Sequence, residues 1–65
     1  MKIVIENNGK LWNRNFNIAG LDIPQFGNPS DGKRFNSIED AQKVLNKIPS
    51  KISSDCKIVL DIWNI

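Results

Sequence analysis

Ile3-Val4-Ile5-Glu6-Asn7-Asn8-Gly9-Lys10-Leu11-Trp12-Asn13-Arg14-Asn15-Phe16-Asn17-Ile18 is the stretch that decides the fold. Its first part is rich in β-branched residues, and from Lys10 it alternates, with Trp12, Arg14, Phe16 and Ile18 on one face and Leu11, Asn13, Asn15 and Asn17 on the other. Asn8-Gly9 between the two runs is a strong hairpin signal, because a type I′ turn needs positive φ at both central residues. A two-residue loop sets the register, so Ile5 is expected opposite Trp12, Ile3 opposite Arg14 and Met1 opposite Phe16. That largely apolar face is expected to pack on a helix, and the face carrying Lys2, Val4, Glu6, Leu11 and the asparagines is expected to be mostly wet.

Downstream, periodicity stops. Between Ala19 and Arg34 the chain is punctuated by Gly20, Pro24, Gly27, Pro29 and Gly32, which reads as a long Gly/Pro-rich loop. Connections of this length in a small domain are either functional or flexible. Leu21, Ile23 and Phe26 within it are expected either to pin the loop over the core or to present an apolar tip to a partner. Ser37 then opens a helix as N-cap, with Glu39 and Asp40 at the positive end of the helix dipole. Ile38, Ala41, Val44, Leu45 and Ile48 form its apolar stripe and Pro49 ends it.

After a polar connection the chain closes with Lys57-Ile58-Val59-Leu60-Asp61-Ile62-Trp63-Asn64-Ile65, apolar on both faces. A right-handed crossover through the helix places this strand beside the first. The expectation is a single α+β domain over residues 1–65: a two-layer ββαβ sandwich with an antiparallel sheet of order 2-1-3, one helix on one face, and a short extra strand at Lys33 to Phe35.

At 65 residues a chain buries only about 60% of its unfolded surface, so every large apolar side chain has a claim on the core. The single cysteine, Cys56, cannot close an intramolecular disulfide, and no apolar run reaches the roughly 20 residues of a membrane span. A soluble cytoplasmic protein is the simplest expectation. Nine basic against seven acidic residues give a net charge of +2, well short of a strongly basic nucleic-acid-binding surface.

The chain has no histidine, which removes the usual general base near neutral pH and the commonest metal ligand. It carries no phosphate-binding loop, nucleophile elbow or zinc and calcium spacing. Catalysis and cofactors are therefore not expected, and binding is. Three surfaces compete. The outer face of the last strand, with Val59, Trp63 and Ile65, would make an apolar protein interface anchored by Trp63, and a homodimer could use it too. The loop residues Leu21, Ile23 and Phe26 would present a second surface, an apolar tip. Trp12, Arg14 and Phe16 could instead form a platform for single-stranded nucleic acid, two rings stacking bases and the guanidinium meeting a phosphate, if that face were open.

Gly9-Lys10-Leu11-Trp12 together with Phe35-Asn36-Ser37-Ile38-Glu39-Asp40-Ala41 resembles a layout of small phage and prophage α+β proteins, which pair a Gly-Lys-x-aromatic hairpin start with a helix opened by Phe-x-Ser-x-Glu-x-Ala. The resemblance covers about a dozen residues of hairpin and helix-start chemistry. The long connection between hairpin and helix departs from it. What it implies is an origin in a mobile element and a function as an inhibitor or modulator of a bacterial host protein or immune complex, as anti-CRISPR proteins are. It defines no site residues.

Overall fold

The computed structural model describes residues 2–63. It is an α+β fold: an antiparallel sheet of four strands in the order β3-β2-β1-β4, with β1 at Ile3–Asn7, β2 at Lys10–Ile18, β3 at Leu21–Gly27 and β4 at Lys57–Leu60. A 3-10 turn spans Pro29–Asp31, and two helices follow, α1 at Ile38–Leu45 and α2 at Ser50–Ser53.

The first hairpin forms as its turn chemistry demands, with Asn8 at φ 54° and Gly9 at φ 81°, and Asn7 paired with Lys10 and Glu6 with Leu11. Beyond that the register departs from expectation. Ile3 pairs with Phe35 instead of Arg14, through hydrogen bonds in both directions, and the Trp12 carbonyl accepts the Lys33 N–H at 2.9 Å. Lys33 to Phe35 thus wedges between the far ends of β1 and β2, as a bridge in place of a full extra strand. The expected pair Met1–Phe16 lies outside the described residues.

Residues 19–34 are not the structureless loop the composition suggests. Ala19 and Gly20 take φ values of 53° and 83° and close a second two-residue hairpin, whose return strand is β3. Pro24 hides this strand from sequence reading, because proline argues against a strand assignment except at a sheet margin, where β3 lies. With β3 added, β2 becomes an inner strand, and the expected order 2-1-3 survives only as the segment β2-β1-β4.

The core under the helices joins Ile3, Ile5, Trp12, Phe35, Ala41 and Ile48, with Phe26, Val44, Leu45, Ile52, Cys56 and Ile58 packed against it. Trp12 stacks on Phe35, ring centroids 5.8 Å apart. Ser37 caps α1, its Oγ accepting the Asp40 N–H at 3.2 Å. Ile38 leaves the expected apolar stripe and is 62% exposed. Pro49 does not simply end the helical region: it caps the one-turn α2, within the stretch expected to be a polar connection.

The opposite face is not wet at its centre. Val4 and Leu11 are fully buried there, and Val59 is half-buried directly across from Val4. The cover is the end of the long connection. Gly32 lies so close to Leu11 that a Cβ on it would sit 2.6 Å from the leucine Cβ. Arg34 fastens this cover: its Nε donates to Asp61 Oδ2 at 2.8 Å, its Nη2 to Oδ1 at 3.3 Å, and its Nη1 to the carbonyls of Pro29 and Gly32 at 2.5 and 2.9 Å. The apolar second face of β4, which looked uncovered in sequence, is therefore partly roofed by a strap latched to β4's own extension.

Candidate protein-binding surface

Beyond the Lys33–Phe35 wedge, β2 and β3 continue together as an arm, while α1 packs on β1 and β4. The molecule is correspondingly long, with extents of 38 × 22 × 17 Å. Which side chains face which way on this arm is set by one residue. The β2–β3 register shifts between Trp12, paired with Phe26, and Arg14, paired with Gln25, so Asn13 is an extra residue bulged into β2.

Strand alternation inverts across such a bulge. Trp12 and Phe26 stay on the helix side, buried or half-buried, whereas Arg14, Phe16 and Ile18 move to the opposite face, together with Gln25, Ile23 and Leu21 from β3. The expected platform of Trp12, Arg14 and Phe16 is not one face: Trp12, 8% exposed, lies in the core, and Arg14 and Phe16 share the other side. Asn15 and Asn17 change places with them. Asn15 Oδ1 accepts the Trp12 indole N–H at 2.7 Å, and Asn17 Nδ2 donates to Asp22 Oδ1 at 3.2 Å. The bulged Asn13 has its Oδ1 enclosed without a hydrogen-bond partner among the described residues, and nothing in the structure explains it.

The face so created is apolar and open. Phe16 pairs directly with Ile23 and Ile18 with Leu21, so the four form one contiguous strip; Phe16 is 42% exposed and Ile18 and Leu21 are each 59% exposed. Arg14 closes its inner end, the guanidinium carbon 4.7 Å from the centroid of the Phe16 ring. Phe16 and Ile18 were not singled out in sequence as an exposed pair with Leu21. The available signal was Ala19-Gly20 centred between alternating apolar residues, weakened by alanine where asparagine is usual and by Pro24 in the return strand.

The remaining expected contact residues are dispersed. Phe26 packs toward the core and lines a small groove of about 250 Å³ with Asn7, Asn8 and Lys10. Trp63 is half-buried and lines a groove of about 490 Å³ with Ser30, Gly32 and Arg34. Four of the donors of Arg34 are already engaged in the latch, which leaves its guanidinium one N–H for that groove. Ile65 lies outside the described residues.

Among the described residues, no three His, Cys, Asp or Glu side chains gather at metal-ligating distance, and no helix is long and apolar enough to cross a membrane. Cys56 is a half-buried thiol whose Sγ contacts the Ile52 carbonyl at 3.4 Å. Burial, and then the neighbouring Asp55 carboxylate, push its pKa up, which disfavours the thiolate. Comparison with protein-family models, with curated proteins and with solved structures found no match for this chain.

Proposed function

We propose that this protein is a non-enzymatic protein-binding module that docks through the outer face of its β2–β3 arm. The observation that carries the reading is the contiguous strip of Phe16, Ile18, Leu21 and Ile23, left open on an arm that projects past the helices. Small monomeric proteins hide what apolar surface they can, and a patch of this kind, rimmed by polar groups, is characteristic of an interaction site. The partner that fits is a protein with a shallow apolar surface and a carboxylate placed to meet Arg14, which adds direction to an otherwise non-directional contact. The more specific form of the reading, an inhibitor that occludes a bacterial host protein, rests on the sequence resemblance alone.

A photo-crosslinking side chain placed at Ile18, and separately at Lys43 on the helix side, tests this in bacterial lysate. The expected result is a discrete adduct from position 18 only, lost when Leu21→Asp is added and retained with Trp63→Ala. Identical adducts from both positions, or an adduct indifferent to Leu21→Asp, would refute the arm as the docking face. The nucleic-acid reading loses its three-residue platform to the bulge at Asn13. Its remaining pair, Arg14 and Phe16, is tested by titrating single-stranded RNA at low salt.

A further inference from the structure

We propose that the margin of β4 is where a second copy of this chain adds, antiparallel, across a two-fold axis at Val59. The inference is independent of the arm and comes from where backbone groups point. The Asp61 N–H donates to the Lys2 carbonyl at 2.9 Å, so Lys2 and Asp61 form a hydrogen-bonded pair. Pairs alternate along an antiparallel ladder, which makes Val59–Val4 and Lys57–Glu6 the bonded pairs of β4 with β1. The N–H and C=O groups of Ile58 and Leu60 then point away from β1. Among the described residues no strand lies beyond them.

The two margins of this sheet are treated differently. Along β3, the pair Ile18–Leu21 closes the Ala19-Gly20 turn and is hydrogen-bonded, so Phe16–Ile23 is bonded as well, and Pro24, between the bonded pairs, turns its nitrogen outward. That nitrogen has no proton, and the middle of the β3 margin cannot donate to an added strand. β4 has neither proline nor bulge, and Leu60 at 50% and Ile62 at 66% exposure flank its open amides.

A second copy is the occupant that β4 itself fits. With the axis at Val59, Ile58 of each copy faces Leu60 of the other and exchanges both backbone hydrogen bonds with it, Val59 faces Val59, and Lys57 lies opposite Asp61, whose carboxylate stays in its ion pair with Arg34 at 3% exposure, so no like charges meet. Shifting the axis to Leu60 would instead carry half of the pairing past Leu60, where β4 ends. The merged sheet runs β3-β2-β1-β4 and then its two-fold image, ending at both outer margins on a proline-guarded β3. A strand of four residues makes a small contact, so the association is weak and concentration-dependent.

Sedimentation equilibrium over a range of concentrations, with amide hydrogen exchange at both ends of that range, tests the proposal. The expected result is a monomer–dimer equilibrium in which the Val59 amide is protected throughout, whereas the Ile58 and Leu60 amides slow at least tenfold as the dimer fills. Leu60→Pro removes an outward N–H without touching the ladder to β1, and should sediment as a folded monomer at every concentration. Should that variant not fold, a chain assembled by ligation at Cys56 with an N-methylated Leu60 asks the same question. A monomer at all concentrations, or a dimer whose Ile58 and Leu60 amides exchange freely, overturns the proposal; so does a dimer that survives Leu60→Pro but is lost with Ile18→Thr/Leu21→Thr.

Discussion

Replacing Arg34 with methionine tests what holds the roof over Val4 and Leu11. The side chains of Arg34 and Asp61 are 19% and 3% exposed, so the pair is shielded enough that bulk water does not simply substitute for it. Removing one member of a fully buried pair costs about 3–5 kcal/mol, because it strands the other charge. Here the loss should be lower, about 2–4 kcal/mol, since Asp61 keeps the Trp63 N–H at 3.1 Å and the arginine side of the site is partly open.

That is a large share of the stability of a 65-residue domain, about 3–10 kcal/mol at 0.05–0.15 kcal/mol per residue. Urea titration followed by tryptophan fluorescence and circular dichroism reads it directly. With a slope of about 1 kcal/mol per molar urea, the midpoint should fall by roughly 2–4 M. Arg34→Met/Asp61→Leu, which removes both charges, should recover most of the loss, while the Lys33 amide, bonded to the Trp12 carbonyl, should exchange faster in the single variant. A single variant within 0.5 kcal/mol of wild type, or a double variant no more stable than the single, would show that the latch does not carry the strap.

Gly32→Ala should cost about 1–3 kcal/mol, because its methyl would fall 2.6 Å from Leu11 Cβ and 2.7 Å from Cδ1; thermal unfolding should show the loss, and Leu11→Val should relieve part of it. Ala19→Asn should stabilise the protein by about 0.5–1 kcal/mol, since Ala19 sits at φ 53° and asparagine tolerates that region far better; an unchanged urea midpoint would contradict the type I′ assignment. Cys56 should react with iodoacetamide more slowly than an unfolded-chain thiol at pH 8, given its raised pKa. Its folded pKa exceeds the unfolded one, so its contribution to stability is complete below the ordinary thiol pKa and is lost as pH rises through the folded value; Cys56→Ser should flatten that alkaline slope.

Much of the first hairpin and of α1 was legible because its determinants are local. Asn8-Gly9 selects its turn whatever surrounds it, and Ser37 finds the Asp40 amide within one turn of chain. The second hairpin was harder, since Ala19 takes a backbone conformation that its own side chain disfavours and Pro24 is admitted only because β3 lies at the sheet margin and the residue falls in a pair whose N–H is not needed. Val59 and Trp63 looked like an uncovered apolar face and Phe26 like a loop tip, but the strap held by Arg34 packs on Leu11 of that face and forms a groove with Trp63, and Phe26 packs toward the core. No local signal marks Arg34: its partner Asp61 is 27 residues away and looks, in sequence, like a mere interruption of an apolar strand.

By itself, the sequence determined that this is a small α+β chain, where its first turn and main helix begin, and that Ile3, Ile5 and Trp12 would share the helix-covered face. The outer face of the arm was a tertiary decision. Trp12, Arg14, Phe16 and Ile18 alternate without interruption in the chain, yet the bulge at Asn13 sends the last three to the opposite side of the sheet. Which face a strand residue occupies depends on the strand it pairs with. Here the Lys33–Phe35 wedge lies between β1 and β2 beyond Leu11, and on the other side of β2 the pairing with β3 shifts by one residue between Trp12 and Arg14.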